Sequence, residues 1–313
     1  MENKRLLSWF ATLSLAIFAV LGFTLPSGAR SLAIQIMVFS IFAMGYDISL
    51  GFTNQCSLGH SIFFGVGAYG AILSIAKMKT GAIGAVGSGL GAGFVVALIL
   101  GLICVRLSEA YFVIVTAIIS AVFHLLAMDM TWLTGGDDGI TVIPPALFSK
   151  FTQLSLSNPL VNYYFVLLFL TVTYLILVRM LRAPLGKVFA AIRGNDTRAL
   201  FLGYNVFRYK LIAFIISGVC GALSGALYAL TLRYASADFF SFYWSIVPIV
   251  WCLIGGLGTL VGCFIGVALM SIFQYYVSAW FTHYLLLFGV LILVILRVSI
   301  KGVLGYVLKR GGG

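Results

Sequence analysis

The sequence predicts an all-α, polytopic transmembrane helix bundle of about ten spans, one of them short or broken. Three observations lead there. Of 313 residues, 62% are hydrophobic and only 9% are charged, whereas ~25% charged residues are usual in soluble domains. The mean hydropathy is +1.13, so the chain lacks the charged shell that a soluble fold of this size needs. Apolar runs of about 20 residues, enough to cross ~30 Å of hydrocarbon as a helix, recur along the whole sequence. The same composition argues against a disordered chain, a disulfide scaffold and a nucleic-acid binder. The net charge of +11 comes from basic residues clustered between apolar runs, where membrane orientation accounts for them.

The candidate spans are 6–25, 31–50, 57–76, 82–105, 110–129, 160–180, 209–231, 243–257, 259–280 and 284–300. The charged start Met1-Glu-Asn-Lys-Arg5, followed by Leu6–Leu25, reads as a spanning helix in preference to a cleaved signal. The stretch 243–280 is too long for one helix and short for two. Pro248 and the cluster Gly255-Gly256-Leu257-Gly258 mark a break within it.

Lys4 and Arg5 place the N-terminus in the cytoplasm. Alternation then puts Arg106 inside and 130–159, with Asp137, Asp138 and the single lysine Lys150, outside. The next inside stretch carries Arg179, Arg182, Lys187, Arg193, Arg198, Arg208 and Lys210. Lys301, Lys309 and Arg310 fall inside only if 243–300 crosses three times, which favours ten spans over eight or nine. Lys77 and Lys79 fall outside and violate the charge rule. Residues 1–313 thus read as a single transmembrane domain with both termini cytoplasmic, an external loop 130–159 and a cytoplasmic loop 181–208. Within that cytoplasmic loop, 187–202 reads as an amphipathic helix ended by Gly203, which is suited to a left-handed conformation. Such a helix either lies on anionic lipid or docks to a cytoplasmic partner.

Little in the chain suggests catalysis. Cys56, Cys104, Cys220, Cys252 and Cys263 form no C-x-x-C pair, and His60, His124 and His283 are scattered. That pattern supports neither a metal site nor an intramembrane enzyme. No G-x-x-x-x-G-K-[ST] is present, so energy must come from another chain or from an ion gradient. Asp47, Glu109 and Asp129 lie at or near span ends, whereas an ion-coupled carrier acting alone usually keeps a carboxylate in mid-membrane.

Two kinds of segment stand out inside the membrane. Among 35 glycines, Gly258, Gly262 and Gly266 recur every four residues, as do Gly221 and Gly225, Gly87 and Gly91, and Gly89 and Gly93. This spacing lines one helical face with small residues and lets a neighbouring backbone come close. The block Gly51-Phe-Thr-Asn-Gln-Cys-Ser-Leu-Gly-His60 instead places Thr53, Asn54, Gln55, Ser57 and His60 between two apolar runs. It is either an ordinary cytoplasmic turn or a broken helix lining a substrate path. Asn54, Gln55 and Ser57 offer neutral donors and acceptors suited to a passing zwitterion. His60 has a second reading as a packing residue. Outside, Thr134-Gly135-Gly136-Asp137-Asp138-Gly139 combines a sharp turn with two carboxylates, which either face a partner or solute or merely cap the turn.

Taken together, these segments resemble the LivM-type permeases of bacterial branched-chain amino acid ABC importers from about Phe39 onward. Gly51-Phe-Thr-Asn-Gln-Cys-Ser-Leu-Gly-His-Ser-Ile-Phe-Phe-Gly-Val-Gly-Ala-Tyr69 is similar to the family's G-Y-T-G-Q-x-S-L-G-H-x-x-F-F-G-x-G-A-Y block, and Leu133-Thr-Gly-Gly-Asp-Asp-Gly139 to its external L-T-G-G-x-D-G motif. Ala183-Pro-Leu-Gly-Lys-Val, Ala191-Ile-Arg193 and Leu202-Gly-Tyr-Asn-Val-Phe-Arg-Tyr-Lys-Leu211 resemble its cytoplasmic loop, and Leu253-Ile-Gly-Gly-Leu-Gly-Thr-Leu-Val-Gly262 its late glycine block. Departures fall at Asn54 (usually glycine), Asp47 (usually asparagine), Leu200 (usually an acidic residue nearby) and Cys263-Phe264 (often Gly-Pro-like).

The resemblance implies a permease subunit in a bacterial inner membrane, itself not an enzyme and without a cofactor. ATP and Mg would be bound by two cytoplasmic ATPase subunits. A homologous second permease would complete the pathway, and a periplasmic solute-binding protein would deliver a branched-chain or related amino acid. Urea or short amides are the alternative solutes. It also implies that Lys187, Arg193, Asp196, Arg198 and Gly203 serve ATPase coupling.

Overall fold

The computed structural model describes residues 24–147 and 155–280, with Phe18, Gly22 and Gly289 besides. The candidate spans 6–25 and 284–300 and the terminal lysines and arginines lie outside the described residues, apart from Phe18, Gly22, Thr24, Leu25 and Gly289.

Apolar runs become helices because a backbone without water must satisfy its own polar groups. The long helices are α1 (Ser27–Thr53), α2 (His60–Met78), α3 (Ala82–Cys104) and α4 (Glu109–Asp129). A single turn, α5 (Thr131–Thr134), and a two-residue strand, β1 (Ile140–Thr141), follow. Next come α6 (Pro159–Arg182), two short helices α7 (Pro184–Gly194) and α8 (Asp196–Phe201), and α9 (Val206–Leu232). Strand β2 (Tyr234–Ala235) and a 3₁₀ turn (Ala237–Phe240) lead to α10 (Tyr243–Gly255) and α11 (Leu260–Trp280). Seven of these helices are long and apolar enough to cross a membrane, and α10 is a shorter apolar helix. The expected break in 243–280 is therefore present, between Gly255 and Leu260.

Local chemistry sets the boundaries. Asn158 caps α6 through its side chain, accepting from Leu160 N at 3.0 Å, and Pro159 occupies the first turn. Asn205 likewise caps α9. Asn54 ends α1 in the left-handed region (φ 56, ψ 30), a conformation open to glycine and, among other residues, favoured by asparagine. That is the physical reason asparagine can stand where the resembled block carries glycine.

Contacts sort the loops onto two faces. On one, Tyr69 donates to Thr134 O, Ala82 N bonds Ala146 O, and β1 pairs antiparallel with β2, Ile140 opposite Ala235. Lys77 lies over the Trp132 ring, 5.8 Å from its centroid, so this lysine has a cation–π partner on that face. On the other face, Asn54 approaches Glu109 and Lys210 pairs with Asp196. The seven long helices have the length to run between these faces.

Small residues make the core. A methyl group added at Gly225 would strike Phe64 O, and one at Gly67 would strike Ala222 O, so α2 and α9 cross backbone to backbone. Gly89 and Gly93 bring α3 onto the same crossing, against Gly67 and Ala222. Gly262 and Gly266 face the backbones of Gly255 and Trp251, which explains how α10 and α11 pack as a close pair. Two expectations from glycine spacing need correction. Gly258 is not on the α11 face but in the preceding turn (φ +78). Gly87 and Gly91 have open space around them, because four-residue spacing defines a face without saying which way it points. Aromatic rings fill the remaining volume: Phe64 stacks on Trp244 (4.7 Å between centroids) and Phe39 on Trp251 (5.1 Å).

The loop 181–208 also differs from expectation. Residues 187–202 do not form one helix, because Asn195 is extended (φ -169, ψ 116) and its side chain accepts from Arg198 N at 2.8 Å to start α8. An Asn at the N-cap competes for the backbone and divides the helix.

Candidate substrate cavity and cytoplasmic coupling surface

The polar block forms a stapled loop between α1 and α2. Thr53 turns its hydroxyl back to Ser49 O at 2.8 Å, and Ser49 donates to Gln55 O at 3.0 Å. Tyr46 donates to Ser57 O at 2.8 Å, Gly59 N to Ser57 Oγ at 3.2 Å, and Leu58 N to Thr116 Oγ1 of α4 at 3.1 Å. Thr53, Ser57 and His60 are fully buried. His60 bonds Ser217 Oγ through Nε2 at 2.7 Å and is ringed edge-on by Tyr46, Phe63 and Phe214. It lies behind the loop in an aromatic cage.

Asn54 and Gln55 differ from the rest of the block. With Cys56, Glu109, Phe112 and Lys210 they line a cavity of about 290 Å³. Asn54 Nδ2 reaches Glu109 Oε1 at 3.4 Å. Gln55 is 6% exposed, and neither Nε2 nor Oε1 has a hydrogen-bond partner in the protein. A buried amide left unpaired costs ~1–3 kcal/mol, so this side chain presents one donor and one acceptor group that the fold does not satisfy. Glu109 and Lys210 are the cavity residues that sequence reasoning missed as site residues. They are span-end charges 101 positions apart, and only the packing of α4 and α9 brings both to one mouth.

Residues of α2 and α4 also border a separate narrow gap, at Ile62, Thr116 and Ile119. Toward the Tyr69 face lies a second, apolar cavity of about 310 Å³, bordered by Tyr69, Phe123, Leu126, Thr134 and Phe240. Between the two, Ser61, Ser120 and Ser245 join α2, α4 and α10 through hydroxyl contacts of 2.6 and 3.0 Å. Lone hydroxyls in apolar runs were the available sequence signal for this cluster.

The segment 134–139 lies at the Tyr69 face. Thr134 is buried and bonds Ala127 O at 2.6 Å, while Gly136 N donates to Thr134 Oγ1 at 3.1 Å. Gly135, Gly136 and Gly139 all take positive φ (76, 61 and 66), which glycine adopts without strain. Asp137 and Asp138 are exposed; the hydroxyl of Thr134, not these carboxylates, braces the turn.

On the opposite face, α7 buries Val188, Phe189 and Ile192 and exposes Lys187 and Arg193. In α8, Asp196 pairs with Lys210 and Arg198 is exposed. Gly203 takes φ +86 with open space where a side chain would stand, the left-handed stop that its sequence position suggests. Leu200, Phe201 and Leu202 are 59%, 85% and 68% exposed, an apolar ridge at the end of a polar loop.

Asp47, Cys252 and Cys263 cluster in the interior, their ligand atoms within 4.8 Å of one another. Cys263 Sγ donates to Cys252 Sγ at 3.4 Å and Cys252 Sγ to Ala43 O at 3.2 Å. The thiols spend their protons on these bonds, whereas metal ligation needs them deprotonated.

The chain matches the family model described as branched-chain amino acid transport system / permease component over residues 28–296. It is 28% identical over 270 residues to the high-affinity branched-chain amino acid transport system permease proteins LivM of Escherichia coli and Salmonella typhimurium. The match covers 76% of this chain and 60% of each relative, so less than two thirds of those proteins' length is represented. A probable branched-chain amino acid transport permease protein LivM of Methanocaldococcus jannaschii is 28% identical over 229 residues, 68% of this chain and 65% of that protein. No solved structure matches the chain significantly. With a family match over most of its length and a bundle of helices long and apolar enough to cross a membrane, the chain belongs to the permease components of branched-chain amino acid transport systems, and within them it is similar to LivM proteins.

Proposed function

We propose that the chain is one of two permease subunits of an ATP-driven importer, passing branched-chain or related amino acids along the α2–α4 seam. The unpartnered amide of Gln55 in the cavity beside Glu109 and Lys210 carries this reading. An amide, a carboxylate and an ammonium group suit a zwitterionic head, and the apolar outer cavity suits an aliphatic side chain. The polar groups are few and dispersed, which favours passage over tight binding; capture falls to a separate solute-binding protein at the Asp137–Asp138 face.

Energy comes from two cytoplasmic ATPases. Supporting this, Leu200, Phe201 and Leu202 stand exposed on the basic face, an apolar ridge of the kind that marks a docking site. That face is then cytoplasmic, as the excess of Lys and Arg in 179–210 requires, and the membrane is a bacterial inner membrane.

The test is reconstitution with the partner subunits in proteoliposomes. Leucine uptake should require ATP and the binding protein. Uptake by this chain alone, driven by an ion gradient, would make it a secondary carrier. Competition by urea or acetamide in place of leucine would move the solute to short amides.

A further inference from the structure

The turn between α10 and α11 is gripped from two sides. On the bundle side is Asp47 of α1, fully buried, whose Oδ1 accepts the Gly258 N–H at 2.8 Å. One turn further along α1, a methyl group at Gly51 would strike Asp47 Oδ1 and lie 2.5 Å from Gly258 N. Helix α1 therefore meets the turn as closely as two backbones allow. On the other side is Arg193, in the last turn of α7. Any side chain at Gly258 would collide with Arg193 Nη1 and lie 3.5 Å from Cζ. A turn one glycine thick thus separates a guanidinium from a buried carboxylate. Asp47 Oδ2 has no hydrogen-bond partner, with the Cys263 thiol beside the carboxyl and the Arg193 guanidinium across the turn as the neighbouring cation.

We propose that Arg193 supplies the countercharge across Gly258, making Arg193 and Asp47 a pair of positioning residues that tie the cytoplasmic helix to α1. Seven residues beyond Asp47 along the chain, α1 ends at Asn54, followed by Gln55 in the cavity wall. A displacement of α7 is passed through the Gly258 turn to the end of α1 and so to the cavity. The source of that displacement rests on the ATPase-docking reading above; the charge pairing itself does not.

The test is second-site rescue in the full complex, read as leucine transported per ATP hydrolysed. Arg193→Gln removes the cation across the turn from a buried carboxylate and should lower this ratio about tenfold, since a buried carboxylate without a countercharge is costly. Asp47→Asn keeps an acceptor for Gly258 N–H and should be milder. The double variant Arg193→Gln with Asp47→Asn should recover to within about threefold of wild type, a non-additivity that independent sites do not show. If the double variant is as defective as Arg193→Gln, or if Arg193→Gln is unimpaired, the pairing is wrong. Should Arg193→Gln fail to assemble, recovery of ATPase co-purification in the double variant supports the pairing and its absence refutes it. Phe201→Asp separates the two readings: if it leaves the ATPases bound while the rescue holds, the docking reading fails and the pairing stands.

Discussion

Replacing Gln55 by leucine should move stability and transport in opposite directions. In the resting protein both amide atoms of Gln55 are buried without a partner. Leucine has nearly the same volume and nothing to satisfy. Removing an unsatisfied buried amide gains ~1–3 kcal/mol in soluble proteins, and hydrogen bonds within membranes average only ~0.6 kcal/mol. We therefore take the low end, about 1 kcal/mol, which corresponds to roughly 2–4 °C in Tm for a domain of 150–250 residues. The passing solute loses its bond to the amide. A hydrogen bond to a charged group contributes ~1.5–3 kcal/mol, so uptake should fall at least about tenfold.

The assay pairs thermal melting of the detergent-purified complex with ATP-dependent leucine uptake in proteoliposomes. Ser224→Ala is the comparison. Ser224 is buried and donates to Val38 O at 2.8 Å, joining α9 to α1 away from the cavity. Its loss should lower Tm slightly and leave uptake per folded complex unchanged. A Gln55→Leu protein that melts lower than wild type and transports normally would show that the amide is a structural group, and the cavity would lose its claim to the substrate path.

Asp137→Asn combined with Asp138→Asn should leave assembly intact, because Thr134 and the three positive-φ glycines hold the turn, while uptake falls through weaker engagement of the binding protein; unchanged uptake assigns these carboxylates no role. Gly203→Val forces a β-branched residue to φ +86 at a cost of ~1–2 kcal/mol, and should reduce ATPase co-purification or release hydrolysis from uptake, whereas Arg193→Lys with Arg198→Lys should be mild. Single cysteines at 196 and 138 in a cysteine-free background should be labelled by an impermeant reagent from the cytoplasmic and the external side respectively; the reverse pattern inverts the topology.

Helix placement was legible because hydrocarbon demands it: each apolar run in the described residues became a helix within a few residues of its expected ends. Helix α1 runs past residue 50 because its polar residues find partners there: Asp47 accepts from Gly258 of the α10–α11 turn, Ser49 donates to Gln55 O of the following loop and Thr53 to Ser49 O of its own helix. The break at Pro248 and Gly255–Gly258 was legible for the opposite reason, since those residues oppose a continuous helix. What could not be read was direction. Gly87 and Gly91 have the same spacing as Gly89 and Gly93, yet two positions of helical rotation separate open space from the α2–α9 crossing. Within the polar block, composition gave five candidates, with a packing reading open for His60; the left-handed turn at Asn54 separates Gln55 in the cavity wall from His60 in the aromatic cage. Glu109 and Lys210 needed the tertiary fold to become neighbours of that cavity.

The last two turns of α1 concentrate the contacts that matter for transport. Tyr46 and Ser49 hold the 54–59 loop, Asp47 holds the α10–α11 turn, and Gly51 lets that turn approach. Just before them, Gly45 packs against Cys220 so closely that a methyl group would strike its Cβ, which fixes mid-α1 to α9. The outer face is braced separately, by Tyr69 on Thr134 and by the β1–β2 pair. These two sets of bonds share no residue, so the basic-face end of α1 and the outer brace are held independently. Alternating access requires that one face change while the other stays closed. Under the proposed pairing, the Arg193 side chain is where a movement of the cytoplasmic helices first reaches the membrane, and Gln55 is where it ends.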